Sequence, residues 1–166
     1  MNHLKSEGVV WNASEMKANE FAGELLMPKV LTKPLIYNFK PSWDLIENLA
    51  FTCQVSLAAA ISKFVKLTNF ACWFVEIRNG RVNRFLSSDF AAKEPRIETG
   101  IKPNIKNTNK NWDECSPYDW FYDSSLHKKA KYIKILYSTV EINSKDLNVK
   151  YVILWDTKGG LDFDYD

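Results

Sequence analysis

Residues Ala71-Cys72-Trp73-Phe74-Val75-Glu76-Ile77-Arg78-Asn79-Gly80-Arg81-Val82-Asn83-Arg84-Phe85-Leu86 decide the fold class. Two runs rich in aromatic and β-branched residues flank Asn79-Gly80. That pair is the strongest short-range hairpin signal, because a type I′ turn needs two consecutive residues that tolerate positive φ. The spacing predicts strands over Ala71–Ile77 and Val82–Leu86. A second pair is predicted over Tyr132–Ile142 and Val149–Trp155, joined by Asn143-Ser144-Lys145-Asp146. Together they make a small antiparallel sheet with helices or long loops on one face.

Before Asn69 the pattern is helical. Pro41 and Ser42 form a start signal for a helix over Trp43–Phe51, which places Ile46, Leu49 and Ala50 on one side. Ser56 is positioned to cap the next helix, where Leu57, Ala60, Ile61, Phe64 and Leu67 fall on one stripe of period 3.6. Thr52–Val55 is a tight connection between the two. The expected architecture is therefore α+β: a helical unit over residues 1–69, then an α+β unit over residues 70–166.

A third stretch carries the chemistry. Glu15-Met16-Lys17-Ala18-Asn19-Glu20-Phe21-Ala22-Gly23-Glu24-Leu25-Leu26-Met27-Pro28 reads as a short amphipathic helix. Ala18, Phe21, Ala22, Leu25 and Leu26 form its apolar stripe, while Lys17, Glu20 and Glu24 fall on the opposite face. Ser14 caps it directly, or Asn12 does so with Glu15 reaching back as a capping-box partner. Pro28, which has no amide hydrogen, stops it. Read from position alone, Glu15 is an acid in a first helical turn, favoured there by the helix dipole.

The run Glu-x-x-Ala-Asn-x-Phe-Ala-x-x-Leu-Leu-Met-Pro resembles the motif that follows the zinc-binding helix of the ImmA/IrrE family of metallopeptidases. In that family a His-Glu-x-x-His helix supplies two imidazole ligands and a general base. Carried over by position, Glu15 would be the third zinc ligand. Asn19, Phe21, Leu25, Leu26, Met27 and Pro28 would be the packing and stop signals of its helix. The likeness continues through Leu45–Leu67, with its Val55-Ser56 turn between two helices, and loosens beyond. It implies a partial zincin-like peptidase unit followed by an extension of the kind likened to GAF-type sensor modules. Full members resemble regulators of stress-response and mobile-element genes that cut a helix-turn-helix repressor.

The departure from the family is equally specific. A catalytic zinc takes three protein ligands and keeps one position open for water. This chain has only two histidines, His3 and His127, and no His-Glu-x-x-His. His3 lacks a second histidine one helical turn away, and His127 beside Lys128 and Lys129 reads as a solvated loop residue. The expectation is a truncated peptidase, inactive as it stands, with Glu15 an orphaned ligand and no catalytic residue or cofactor of its own. Its expected partners are a repressor protein or a second copy of the chain, since a bare apolar face where the missing helix packs promotes self-association.

Composition narrows the alternatives. With 166 residues, 46% hydrophobic and 14% aromatic, the chain is long and apolar enough to bury a core. A net charge of +2 gives no reason to expect nucleic acid or an anionic membrane as partner. The second helix of the αα-hairpin offers Ser56, Ala58, Ala59, Ser62, Lys63 and Lys66, and no arginine precedes Arg78, so we read it as a packing unit rather than a DNA reader. Cys53, Cys72 and Cys115 are odd in number and widely spaced, which points to reduced thiols. No signal peptide or long apolar run is present, so the expected compartment is the cytoplasm.

Two segments stay open at this level. Phe90–Lys131 is mildly basic and loop-like, and ends in the aromatic group Trp112, Tyr118, Trp120, Phe121 and Tyr122, with Ser116 and Pro117 placed to start a short helix. Those rings either line a ligand or partner surface or form the lid of the sheet's core. The first option makes the chain a non-catalytic sensor or protein-binding module. The stretch Lys158–Asp166 alternates acids with apolar residues, and its spacing does not fit an EF-hand.

Overall fold

The computed structural model describes residues 21–91, 97, 99–106, 109–121, 134–144 and 147–157. Among them the fold is α+β. Residues 21–26 are helical (α1), followed by α2 (Lys29–Ile36), α3 (Trp43–Thr52) and α4 (Leu57–Leu67). The strands are β1 (Cys72–Arg78), β2 (Arg81–Ser87), β3 (Asp113–Cys115), β4 (Ile135–Ser144) and β5 (Leu147–Asp156), with a 3₁₀ turn at Pro117–Asp119. They form one sheet in the order β2-β1-β5-β4-β3, and every adjacent pair is antiparallel.

Both expected hairpins are present. Asn79 and Gly80 have φ of 51° and 72°, the double positive φ that a type I′ turn requires. The second hairpin reaches further than its hydrophobic pattern suggests, with Ser144 opposite Leu147. The two helix caps also form as expected. Ser42 Oγ accepts from the Leu45 amide at 3.3 Å, and Ser56 Oγ accepts from the Ala59 amide at 3.2 Å. Between those helices the chain turns through Gln54 at φ 52°.

Helix α2 is not expected from sequence, because Pro28 and Pro34 both argue against it. Pro28 stands just before its first turn, where the missing N–H is harmless. The Pro28 carbonyl accepts from the Thr32 amide and from Thr32 Oγ1, both at 2.9 Å, and gives the buried Thr32 hydroxyl a partner. Pro34 forgoes one intrahelical bond near the far end.

The sheet is covered on both faces. On one side Ile36, Trp43, Ile46, Leu49, Ile61 and Phe64 from the helices bury against Phe74 of β1 and Ile153 of β5. On the other, Trp73, Val75, Val152 and Leu154 bury against Ile97, Trp120 and Phe121 from the connection between β2 and β4. This explains β1, whose first six residues are all buried: a strand covered twice reads as a continuous apolar run, without alternation. Helices and sheet thus share a core, with Phe74 at the seam, its ring edge-on to Trp43 and Phe64 at 6.0 and 5.8 Å.

Phe74→Ala is expected to cost about 3–5 kcal/mol, read from urea unfolding followed by tryptophan fluorescence. A loss under ~1 kcal/mol, well below the range for deleting a buried aromatic ring, would show that helices and sheet do not share this core.

Candidate functional site

Glu15 and Asn19 lie outside the described residues, as do His3, Tyr122 and His127. The rest of the motif can be followed. Met27 is buried in the helical core, and Pro28 separates α1 from α2. Phe21, Leu25 and Leu26, expected to pack, are instead 66%, 65% and 56% exposed. The helix is held by other contacts. Met27 is the side chain that anchors the turn. The Glu24 carboxylate accepts from the Lys29 amide at 2.6 Å and from Lys63 Nζ at 2.7 Å, clasping α1, the start of α2 and α4 together. The Lys63 contact, followed by the Lys29 amide, holds the Glu24 carboxyl below the ordinary range.

Helix α2 also exposes apolar side chains. Its small polar Thr32 and its Ile36 turn inward, while Val30, Leu31 and Leu35 are exposed. Phe39 is exposed just beyond its end. Seven large apolar side chains within residues 21–39 therefore face outward, an unusual concentration for a stable free surface. Two hollows flank them. A groove of about 680 Å³ runs along Val30, Lys33, Pro34 and Tyr37. A cleft of about 520 Å³ opens between α1 and α4, lined by Ala22, Leu26, Val55, Ala59, Lys63 and Lys66 among others.

The aromatic group of residues 112–122 does not converge on one surface. Trp112 packs on the helical side of the sheet, its ring 5.7 Å from that of Trp155. Trp120 and Phe121 are buried on the opposite side, where Phe121 meets Trp73 at 5.1 Å. Tyr118 is 45% exposed. As far as these residues are described, the rings seal the two faces of the sheet.

Nor do Cys72 and Cys115 offer a nucleophile. Burial pushes the Cys72 thiol up to about 12 against the hydrogen bond of Ser88. Cys115 is likewise pushed up to about 12, chiefly by burial. Both are protonated at neutral pH and inert. Among the described residues no three His, Cys, Asp or Glu side chains gather closely enough to hold a metal ion. These residues therefore do not supply a zinc donor set. Among them, too, no single helix is long and apolar enough to cross a membrane.

Two buried acids, Glu76 and Asp156, are missed by sequence reasoning. Glu76 of β1 is 3% exposed. A register shift opposite Glu76 and Ile77 leaves Asn83 extra on β2, as in a β-bulge. Arg78 Nε and Asn83 Nδ2 donate to Glu76 Oε1 at 2.6 and 2.8 Å, and Arg84 Nε donates to Oε2 at 2.7 Å. Both oxygens are satisfied, so the group reads as a structural tie between the first two strands. The hint in sequence is an acid at a strand position otherwise flanked by apolar residues.

Compared with known proteins, the chain matches no family model and no curated relative.

Burial alone would raise the Glu76 carboxyl, but the Asn83 hydrogen bond together with the charge and hydrogen bonds of Arg84 and Arg78 holds it below its ordinary value. Its contribution is therefore present above the unfolded value of 4.5 and lost as pH falls through the lower folded value. Glu76→Gln is expected to lose about 1.5–3 kcal/mol at neutral pH and to flatten the acid limb of a stability–pH curve. An unchanged acid limb would remove Glu76 from this role.

Proposed function

We propose that this chain is the C-terminal portion of an ImmA/IrrE-type zinc metallopeptidase, inactive alone, whose helical segment keeps the face against which the rest of the peptidase unit packs. The observation that carries this reading is the outward-facing apolar surface of Phe21, Leu25, Leu26, Val30, Leu31 and Leu35. Burying a large aliphatic or aromatic side chain contributes about 1.5–3 kcal/mol. Six left in water favour any partner that covers them. The motif resemblance supplies the identity of that partner, a preceding polypeptide with the His-Glu-x-x-His helix.

In the intact family the zinc supplies an activated water for attack on a peptide bond. The residues described in this chain contribute no donor set for it, and no catalytic step is assigned to them. What the chain offers is a scaffold: α1 and α2 as a packing surface, fixed to the sheet through Met27, Trp43 and Phe74.

A sensor module built on the aromatic group is the competing reading. It draws less from this geometry, because Trp112, Trp120 and Phe121 are taken up in covering the sheet.

The isolated chain is expected to self-associate in light scattering, and Leu25→Asp combined with Leu31→Asp is expected to return it to a monomer without loss of near-ultraviolet circular dichroism. A monodisperse wild-type monomer would count against a bare packing face. The assignment as an inactive portion fails on a different result: one zinc bound per chain together with repressor cleavage, both abolished by Glu15→Ala.

A further inference from the structure

The cleft between α1 and α4 is edged by two lysines of α4, Lys63 and Lys66. Apart from the polar Ser62, its uncharged lining is apolar, with Leu26, Met27, Val55, Ala59 and Leu67 among it. A side chain built on Gly23 would meet nothing within 4 Å, so the space above α1 is open. Around this surface stand Lys29, Lys63 and Lys66, against one carboxylate, Glu24. That carboxylate is already engaged by Lys63 Nζ and the Lys29 amide.

Lys63 and Lys66 lie three residues apart on α4, so they are neighbours on one helix surface. Lys63 is held in place: its side chain is only 11% exposed and its ammonium is fixed at 2.7 Å from Glu24. Lys66 is exposed and has no ion-pair partner among the described residues. The cleft thus combines an apolar floor with a surplus of positive charge on one rim. We propose that it is a docking site for an acidic amphipathic helix of a partner protein. The apolar side chains of that helix would enter between Leu26 and Ala59, and its carboxylates would meet Lys66 and the Lys63 edge.

Shape decides against the two other polyanions. A lipid surface needs lysines that reach outward from a convex face, whereas Lys63 lies along the cleft wall. Nucleic acid is gripped by many phosphate contacts, and three lysines around an apolar recess supply few. Helix-in-groove recognition instead needs apolar anchors at helical spacing with matching charge at the rim.

The recess meets the bare face at Leu26, so the test uses Lys66 and Ser62, which belong to the recess alone. The probe is a fluorescein-labelled helical peptide with leucine on one face and glutamate on the other, titrated with the whole chain by fluorescence anisotropy. Saturable binding is expected, weakened about tenfold or more by Lys66→Glu and by Ser62→Trp, which fills the recess. Both variants are expected to keep the wild-type circular dichroism spectrum, which is checked before the titration. Binding is also expected to weaken in ~0.5 M salt, where exposed charges are screened. No saturable binding would overturn the proposal, as would equal affinity for the glutamine counterpart. Indifference to both substitutions, or tighter association with phosphatidylglycerol vesicles than with the peptide, would overturn it too. A chain that stays monomeric yet binds the peptide would leave this site standing while the bare-face reading falls.

Discussion

The whole arrangement depends on a central strand, β1, that must be covered on both sides. Six consecutive residues of β1 are buried, and each face has a different cover. Toward the helices, Phe74 sits edge-on to Trp43 and Phe64. Toward the β2–β4 connection, Trp73 meets Phe121. Antiparallel sheets commonly leave one face in water. This one does not, and the demand for two covers accounts for much of the chain's aromatic content. Large rings cover a small sheet with few residues.

Much of this is legible in the sequence where local chemistry decides the outcome. Asn79-Gly80 marks the turn, and Ser42 and Ser56 mark two helix starts. The stripe Ala60, Ile61, Phe64 and Leu67 identifies the buried side of α4 from its period alone. Non-local facts are not legible. Nothing in residues 112–121 reveals that Trp112 lies on one side of the sheet and Trp120 on the other, since that follows from strand order and register. Helix α2 is hidden because its prolines argue against a helix, yet Pro28 stands outside its first turn and Pro34 near its far end. Glu76 gives little warning either, because its partners come from a bulge on the neighbouring strand.

The apolar stripe of α1 is the most informative disagreement. Period alone says that Phe21, Leu25 and Leu26 share a face, and amphipathic helices usually turn that face to a core. Here the turn is secured by Met27 and by the Glu24 clasp to Lys63, and the stripe is left outward. Val30, Leu31 and Leu35 of α2 are exposed as well. The packing partner that such a stripe calls for is not among the described residues. The proposal above gives that role to the remainder of a peptidase unit, and Phe21, Leu25 and Leu26 belong both to the motif that suggests it and to the bare face.

That face must be open to solvent while the seam beneath it is closed. Hydroxyl-radical footprinting with mass spectrometry, at a dilution where light scattering reports a monomer, tests this directly. Heavy labelling of Phe21, Leu25, Leu26, Leu31 and Leu35, with Trp43, Phe64 and Phe74 protected, is the predicted pattern. Protection of the α1–α2 leucines in the monomer would contradict it, because the chain would then cover that face by itself.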